Sequence, residues 1–381
     1  MSASLPSFEL PSSTNVVDVR VIDSTARLRI PMTAFVKDYV PGHDFLECPA
    51  YSFLIEHPSG QKLIFDLGLR KDIAASPPAI LKSFVAESEK SGASATVDTD
   101  VASILEEASI NLNDIKAIIW SHWHLDHSGD PSTFPSTTAL VVGPGFKDVL
   151  LPGYPANPEG LILETDYQYV NEFVYLPQLL MPNRGRELHE INFDSHSGAT
   201  KIGDFRAVDY FQDGSFYLLD SPGHTVGHMA ALARTTPSTF VLMGADTAHH
   251  CGSFRPSQYL SLPEDMSPSP FSKPSFLPGS ICPGEVLVKI HPQQARDKPF
   301  YQKLSEAPDR NVAEAEESVG KVIGLDARDD VFVVVAHDST LLDVINFFPD
   351  KVNDWKENGW KDKSRWRFLL DFHGAVNAQS G

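Results

Sequence analysis

Residues 121 to 130 constrain this chain more than any other stretch. They read Ser-His-Trp-His-Leu-Asp-His-Ser-Gly-Asp and follow six mostly apolar residues, a run that is typical of a buried strand. Residues two apart in an extended segment point to the same side, so His122 and His124 can hold one cation together, while a turn brings Asp126 and His127 to a second. Neutral imidazole and carboxylate are ligands that zinc, iron, manganese and cobalt accept in open catalytic sites. We therefore predict a metal site here rather than a polar turn with scattered histidines.

Further motifs along the chain extend this pattern, and together they resemble the ordered signatures of the metallo-β-lactamase superfamily. The motifs are Phe65-Asp66-Leu67-Gly68, residues 121 to 130, Ser221-Pro222-Gly223-His224-Thr225-Val226-Gly227-His228, Gly244-Ala245-Asp246-Thr247 and Val335-Ala336-His337. The resemblance implies an α+β fold, a four-layer αβ/βα sandwich with loop-rich insertions. It also implies a single domain over residues 1 to 381.

Carried over residue by residue, the resemblance implies a site for two divalent metal ions. Metal 1 would be held by His122, His124 and His224. Metal 2 would be held by Asp126, His127 and His337, and Asp246 would bridge the two metals. A carboxylate can use one oxygen to bridge two cations about 3.5 to 4 Å apart, as two-metal hydrolytic sites require. Zinc is the expected metal, and iron, manganese or cobalt are the alternatives.

The resemblance assigns roles to other residues as well. Asp66 would orient a metal ligand, and His228 would be a structural, hydrogen-bonding histidine. His249 stands three positions after Asp246, where the lactone-hydrolysing members have a tyrosine that helps to bind the substrate carbonyl. An imidazole can also donate to an oxyanion or protonate a leaving group, so His249 is a candidate catalytic residue, with a purely structural role as the alternative. Asp126 would accept the proton of the attacking hydroxide.

The amino-acid composition limits the possible binding partners of the protein and its cellular compartment. Lys and Arg number 31 against 50 for Asp and Glu, a formal net charge of -19, which repels a phosphate backbone and excludes nucleic acid as substrate or partner. The odd set of cysteines, Cys48, Cys251 and Cys282, has no paired spacing and predicts reduced thiols. The amino terminus lacks a basic start with an apolar core, and no stretch is long enough to span a membrane. We therefore expect a cytoplasmic protein, a monomer or homodimer, that does not bind membranes.

Local patterns predict several elements between the motifs. Residues 51 to 55 and 63 to 66 flank Pro58-Ser59-Gly60 and read as a hairpin. Residues 101 to 108 read as a helix with Ile104 and Leu105 on its buried face, and Asp98 or Asp100 can cap its start.

Two long irregular ranges and the carboxy-terminal tail surround these elements. Residues 144 to 200 and 250 to 311 are rich in Pro and lack clean periodicity, which indicates insertions, the second of them partly a lid. Residues 351 to 375 form an amphipathic segment that we expect to dock on the body. In the first insertion, aromatic and aliphatic side chains either line an apolar pocket or simply pack: Tyr154, Tyr167, Tyr169, Phe173, Tyr175, Leu176, Leu179, Leu180 and Met181.

The resemblance is closest to the N-acyl homoserine lactonase-like metallohydrolases. It implies hydrolysis of a lactone, or of a related cyclic ester, carbamate or lactam, in a small and fairly apolar molecule, by attack of a hydroxide that bridges the two metals. The alternative activity is that of a thioesterase, either glyoxalase II-like or acting on a carrier-bound acyl chain. In a metal-containing scaffold without turnover, we would expect one or more ligand residues to be replaced by residues that cannot bind metal. No ligand position is replaced in this sequence.

Overall fold

The computed structural model describes residues 10–72, 78–168, 185–273 and 276–379. The strands are β1 (Asp18–Pro31), β2 (Phe45–Glu56), β3 (Lys62–Phe65), β4 (Ser94–Thr96), β5 (Ile115–Ile119), β6 (Ala139–Val142), β7 (Leu188–Glu190), β8 (Ala199–Ile202), β9 (Phe205–Asp209), β10 (Phe216–Asp220), β11 (Met229–Thr236), β12 (Thr239–Ala245), β13 (Asp265–Met266), β14 (Cys282–Pro283) and β15 (Val331–Val335). The α-helices are α1 (Ala79–Lys90), α2 (Val101–Glu107), α3 (Leu125–Ser128), α4 (Phe146–Leu150), α5 (Glu164–Tyr167), α6 (Gly284–Ile290), α7 (Val312–Asp326), α8 (Trp360–Ser364) and α9 (His373–Gln379).

Most strands belong to two large mixed sheets. The first has the order β4-β1-β2-β3-β5-β6-β7 and the second the order β15-β12-β11-β10-β9-β8, with β13 and β14 as a separate ribbon. Strands β3, β5, β6 and β7 run parallel to one another, as do β12 and β15, whereas the other pairs are antiparallel. Because parallel strands end at the same edge of a sheet, the residues that follow β12 and β15 can meet.

Apolar side chains of neighbouring strand residues pack on opposite faces of each sheet. In β5, Ile119 packs between the two sheets, while Ile118 packs on the outer face against Leu105 of α2. In β12, Val241 faces the first sheet and Leu242 faces α7. Because side chains alternate between the two faces of each sheet, each sheet packs against the other sheet on one face and against helices on the other. The layers therefore follow the order helix, sheet, sheet, helix. The predicted four-layer αβ/βα sandwich of the α+β class is therefore confirmed.

Local predictions agree with the structure apart from one helix face. Strands β2 and β3 pair as an antiparallel hairpin around the predicted turn. The Asp100 side chain caps α2 by accepting a hydrogen bond from the Ser103 N–H at 2.8 Å. The buried face of α2 consists of Val101, Ala102 and Leu105, whereas Ile104 is only partly buried. The predicted face is therefore correct for Leu105 and wrong for Ile104.

The range predicted as the first insertion contains regular structure. It includes α4 and α5, and its strands β7 and β8 extend the edges of the two sheets. Within the predicted aromatic cluster, Tyr167 is buried and its hydroxyl accepts a hydrogen bond from Gly153 N–H at 2.8 Å, which indicates packing. The cluster members between residues 169 and 184 lie outside the described residues. The single-domain assignment and the boundaries of both insertions stay predictions.

The carboxy-terminal segment packs its aromatic side chains into two layers. Trp355 and Trp360 join the core between the sheets, whereas Phe368 and Phe372 pack with the outer face of the second sheet. Among the described residues, no helix is long and apolar enough to cross a membrane. All three cysteines are buried and free, as predicted for reduced thiols.

Candidate metal centre

Strands of both sheets deliver the predicted ligands to one edge of the sandwich. His122 and His124 follow β5, and the short helix α3 carries Asp126 and His127. The other three ligands come from the second sheet, where each follows the end of a strand: His224 after β10, Asp246 after β12 and His337 after β15. All the residues predicted as ligands therefore lie together in the tertiary structure.

The ligand atoms divide into two groups that share Asp246. One group consists of His122, His124, His224 and Asp246, and within it one ligand atom from each residue lies within 4.8 Å of all the others. The second group, Asp126, His127 and His337, meets the same criterion. The partition equals the predicted metal 1 and metal 2 sets.

The carboxylate of Asp246 stands between the groups and offers one oxygen to each. Oδ1 lies 3.0 Å from His337 Nε2 and 3.2 Å from His127 Nε2. Oδ2 lies 3.3 Å from His224 Nε2 and 3.6 Å from His122 Nε2. Each oxygen of Asp246 therefore faces its own set of imidazoles.

Atoms without partners test whether these residues fit metal ions. Among the described residues, His122 Nε2, His127 Nε2 and Asp246 Oδ1 are buried side-chain atoms with no hydrogen-bond partner. In addition, His124 Nδ1 lies only 3.0 Å from His224 Nε2. Buried polar groups without partners are costly, and divalent cations satisfy such imidazole and carboxylate atoms. The residues therefore fit two cations.

Hydrogen bonds on the far side of the rings determine which nitrogen faces the centre. His122 Nδ1–H donates to Ser121 Oγ at 3.0 Å, and His127 Nδ1–H donates to Asp66 at 2.9 Å. His337 Nδ1–H donates to the carbonyl of Pro49 at 2.8 Å. In each ring, Nε2 is therefore the nitrogen that faces the centre, and its lone pair becomes available to a metal ion once Nε2 carries no proton.

Asp66 and His228 occupy the positions predicted for supporting residues. Besides His127, Asp66 accepts hydrogen bonds from the Ser121 N–H and hydroxyl, both at 2.7 Å. Burial nevertheless raises the pKa of Asp66. Both nitrogens of His228 are engaged by the backbone, since Nδ1–H donates to Ser221 O at 2.7 Å and Nε2 accepts from Asp246 N–H at 3.2 Å. Burial lowers the pKa of His228 to about 4, so the ring is neutral and its geometry supports a structural role.

His249 lies at the wall of the centre, outside both groups of ligand atoms. Its Nε2 is 3.1 Å from Asp246 Oδ2, and its ring stacks on Phe35 with centroids 4.2 Å apart. Burial lowers the pKa of His249 to about 4, although Asp246 opposes that shift. The ring is therefore a neutral N–H donor beside the centre.

The charges of the metal-free centre separate the remaining histidines into two kinds. Burial, reinforced for His122 by its histidine neighbours, places the pKa values of His122 and His224 well below the ordinary range. Burial also acts on His127, but the carboxylates of Asp246 and Asp126 outweigh it and raise the pKa of His127 to about 10. Without a cation, the carboxylates therefore retain a proton on the second group.

Two of the predicted ligand side chains are partly exposed to solvent. The side chains of His124 and Asp126 are 26% and 20% exposed, whereas the other ligand side chains are at most 5% exposed. Beside His124 stands Asp309, whose Oδ2 accepts a hydrogen bond from His124 Nε2–H at 2.7 Å. The sequence interpretation missed Asp309, because no motif marks it within the irregular range from 250 to 311. Hydrogen bonds to it from His124 and Thr225 outweigh burial and lower its pKa.

A further histidine group lies away from this centre. Ligand atoms of His43, His250 and Asp371 lie within 4.8 Å of one another. However, His250 Nδ1 accepts a hydrogen bond from Gly252 N–H at 3.0 Å, so its Nε2 carries the proton and donates to Asp371 at 3.1 Å. His43 Nδ1 is hydrogen-bonded to the Tyr301 hydroxyl at 2.7 Å. This group is a hydrogen-bonded network rather than a ligand set, since a protonated nitrogen cannot bind a cation.

A comparison with protein-family models matches residues 46–236 to the metallo-β-lactamase superfamily. The chain belongs to this superfamily. The matched range contains the first three sequence motifs and therefore Asp66, His122, His124, His127 and His224.

Curated relatives match nearly the whole chain. The γ-lactamase FDB1 of Fusarium pseudograminearum (strain CS3096) is 44% identical over 96% of this chain and 85% of its own length. The metallo-hydrolase mfmC of Annulohypoxylon moriforme is 41% identical over 98% of this chain and 92% of its own. The chain is accordingly a metal-dependent hydrolase of the metallo-β-lactamase superfamily.

Solved structures agree on the architecture. One of them is an N-acyl homoserine lactone hydrolase with the product N-hexanoyl-L-homoserine bound at its catalytic metal centre. The TM-score is 0.53, and the match covers 88% of this chain and 99% of the hydrolase chain. Its sequence is 16% identical, so the likeness shows the fold alone.

Proposed function

We propose that this superfamily member hydrolyses the ring amide of a γ-lactam, or the related bond of a lactone or cyclic carbamate, in a small and fairly apolar molecule, at a dinuclear metal centre. The observation that carries the proposal is the pair of ligand groups on either side of Asp246. The lactam is favoured within this class because the relative that matches 96% of the chain is a γ-lactamase.

In this proposal His122, His124 and His224 hold metal 1, Asp126, His127 and His337 hold metal 2, and Asp246 contacts both. Two divalent cations, with zinc as our first assignment, would supply hydroxide at neutral pH and polarise the scissile carbonyl. Hydrolysis adds water across the ring bond. A γ-lactam gives a carboxylic acid joined to an amine and a lactone gives one joined to an alcohol, whereas a cyclic carbamate gives a carbamic acid that loses carbon dioxide and leaves an amine joined to a hydroxyl group.

Asp126 is the residue that we assign to proton transfer. Its carboxylate is the more exposed of the two in the centre, with its side chain 20% exposed, and Oδ2 lies 3.5 Å from His337 Nε2. It can therefore reach a substrate at the open side, take the proton of the attacking hydroxide and return it to the leaving nitrogen or oxygen.

His249 is the residue that we assign to the carbonyl oxygen. Its ring is neutral, and stacking on Phe35 restricts its orientation. An N–H held in place beside the reacting carbonyl stabilises developing negative charge without reorganisation. Replacement of His249 by phenylalanine would remove this donor while keeping a ring that can stack.

The test is proton release by zinc-loaded protein offered γ-lactams, lactones, cyclic carbamates and thioesters. His122→Ala should abolish turnover, whereas His189→Ala, which changes a histidine on the exposed edge strand, should leave it unchanged. Asp126→Asn should lower turnover about a hundredfold or more, even when it is assayed at zinc concentrations that fill both sites of the variant. Turnover of thioesters alone would refute the lactam assignment and favour the thioesterase alternative. Near-normal turnover by Asp126→Asn with full zinc content would refute the role of Asp126.

A further inference from the structure

Asp309 connects the irregular range that precedes α7 with a proposed metal ligand. Its Oδ2 accepts a hydrogen bond from His124 Nε2–H at 2.7 Å, across 185 positions of sequence. Because Nε2 carries this proton, the lone pair of His124 is on Nδ1, and Nδ1 is the atom that lies 3.0 Å from His224 Nε2. The tautomer of His124 therefore depends on Asp309.

A hydrogen bond also joins the two loops that carry metal 1 ligands. Thr225, the residue after His224, accepts at Oγ1 from Trp123 Nε1–H at 2.8 Å, and Trp123 is the residue before His124. The carboxylate of Asp309 therefore acts on a pair of loops that are already joined to each other.

The backbone around Asp309 is itself held in position. Arg310 donates from Nη1 to the carbonyl of Ser305 at 2.7 Å and to that of Ala34 at 3.2 Å. On the other side, Asn311 N–H donates to the carbonyl of Gly223 at 2.8 Å. The carboxylate is therefore presented to His124 by anchored backbone rather than by a free surface loop.

We propose that Asp309 is a positioning residue for metal 1, which holds His124 with Nδ1 directed at the cation and keeps the loops of His124 and His224 at ligand distance. The inference rests on the proposed metal centre. Ligand histidines commonly donate their second N–H to a carboxylate or carbonyl, which fixes the tautomer and raises ligand basicity. His122, His127 and His337 have buried partners close to the two sheets, whereas His124, the most exposed histidine ligand, has a partner from the irregular range.

The test is a zinc titration in competition with a chromophoric chelator, applied to the full-length chain and to Asp309→Ala and Asp309→Asn. We expect the affinity for one of the two zinc ions to fall about 10- to 100-fold in Asp309→Ala, while the other ion is retained. Asp309→Asn keeps an acceptor for the His124 proton but loses the charge, so a smaller loss is expected. Glu306→Gln is the matched control, because Glu306 is an exposed acid of the same segment that pairs with Lys37 and contacts no ligand.

Two further readouts separate positioning from a general loss of structure. In the cobalt-substituted protein, Asp309→Ala should change the visible absorption of one ion, because the ligand field at His124 changes. Without metal, the variant and the wild type should unfold at similar temperatures.

Each outcome decides the inference. Wild-type zinc affinity at both positions in Asp309→Ala, in a chain that binds two zinc ions, would overturn the inference and leave the proposed function intact. An equal loss of thermal stability with and without zinc would also overturn it, since Asp309 would then be merely structural. A wild-type chain that binds no zinc would overturn the metal centre and this inference together.

Discussion

Replacement of Asp246 by asparagine probes the part of the centre that the two ligand groups share. Its oxygens lie 3.0 to 3.6 Å from the nearest imidazole nitrogens of each group. Asparagine has the same shape but no charge, and its single carbonyl oxygen can face only one group. The other group then meets an NH₂, which cannot bind a cation.

The size of the effect follows from these distances. A cation among the ligand nitrogens lies within about 4 Å of the carboxylate, where two unit charges attract by roughly 4 kcal/mol at an effective dielectric constant of 20. A divalent ion doubles this attraction, and the desolvation of the carboxylate offsets part of it. If half remains, the loss of about 4 kcal/mol corresponds to about a thousandfold in the dissociation constant.

The assay is metal analysis after dialysis against buffered zinc, with free zinc set above the wild-type dissociation constant but below a thousandfold excess over it. The wild type should retain two zinc ions, and Asp246→Asn should retain about one or fewer. Asp220→Asn is the control, because Asp220 also stands at the end of a buried strand, β10, but pairs with Arg206 instead of the centre. Two tightly bound zinc ions in Asp246→Asn would refute the assignment of Asp246 as a shared ligand.

Zinc affinity should rise with pH between about 6 and 9, because His127, with a pKa of about 10, must lose its proton to become a ligand. The affinity should increase about tenfold per pH unit for each proton that zinc binding releases. Competition titrations at several pH values measure this slope, and a flat profile would contradict the charge assignment of the metal-free centre. Away from the site, Asp326→Asn should lower the free energy of unfolding by about 3 to 5 kcal/mol, because it leaves the buried guanidinium of Arg255 without the carboxylate that it contacts at 2.6 and 2.9 Å. Urea unfolding measures the loss. The control is Glu317→Gln, which changes an ion pair with Lys321 on the surface of the same helix and should change the free energy of unfolding by less than about 1 kcal/mol. Equal losses in Asp326→Asn and Glu317→Gln would refute the argument from burial.

The ligand residues could be predicted from the sequence because open metal sites place strict demands on residue type and spacing. His122 and His124 follow an apolar strand with one residue between them, and such a strand end presents both on one side. His224, Asp246 and His337 likewise come after apolar strands of the structure, β10, β12 and β15. The layer order was implied by the resemblance to the metallo-β-lactamase superfamily, and the structure agrees with it, because neighbouring residues of β5 and of β12 pack on opposite faces of their sheets.

Other features were decided only by the tertiary structure. The edge positions of β7 and β8 depend on pairing with distant strands, and their short segments carry no distinctive pattern. In the centre, the nitrogen that a histidine directs inward is set by partners such as the carbonyl of Pro49 for His337 and the carboxylate of Asp309 for His124. The sequence by itself determined which side chains are candidate metal ligands, because that property belongs to each residue and its immediate neighbours. Their tautomers and orientations were left to the tertiary structure, because a hydrogen bond between residues 185 positions apart exists only after the chain has brought them together.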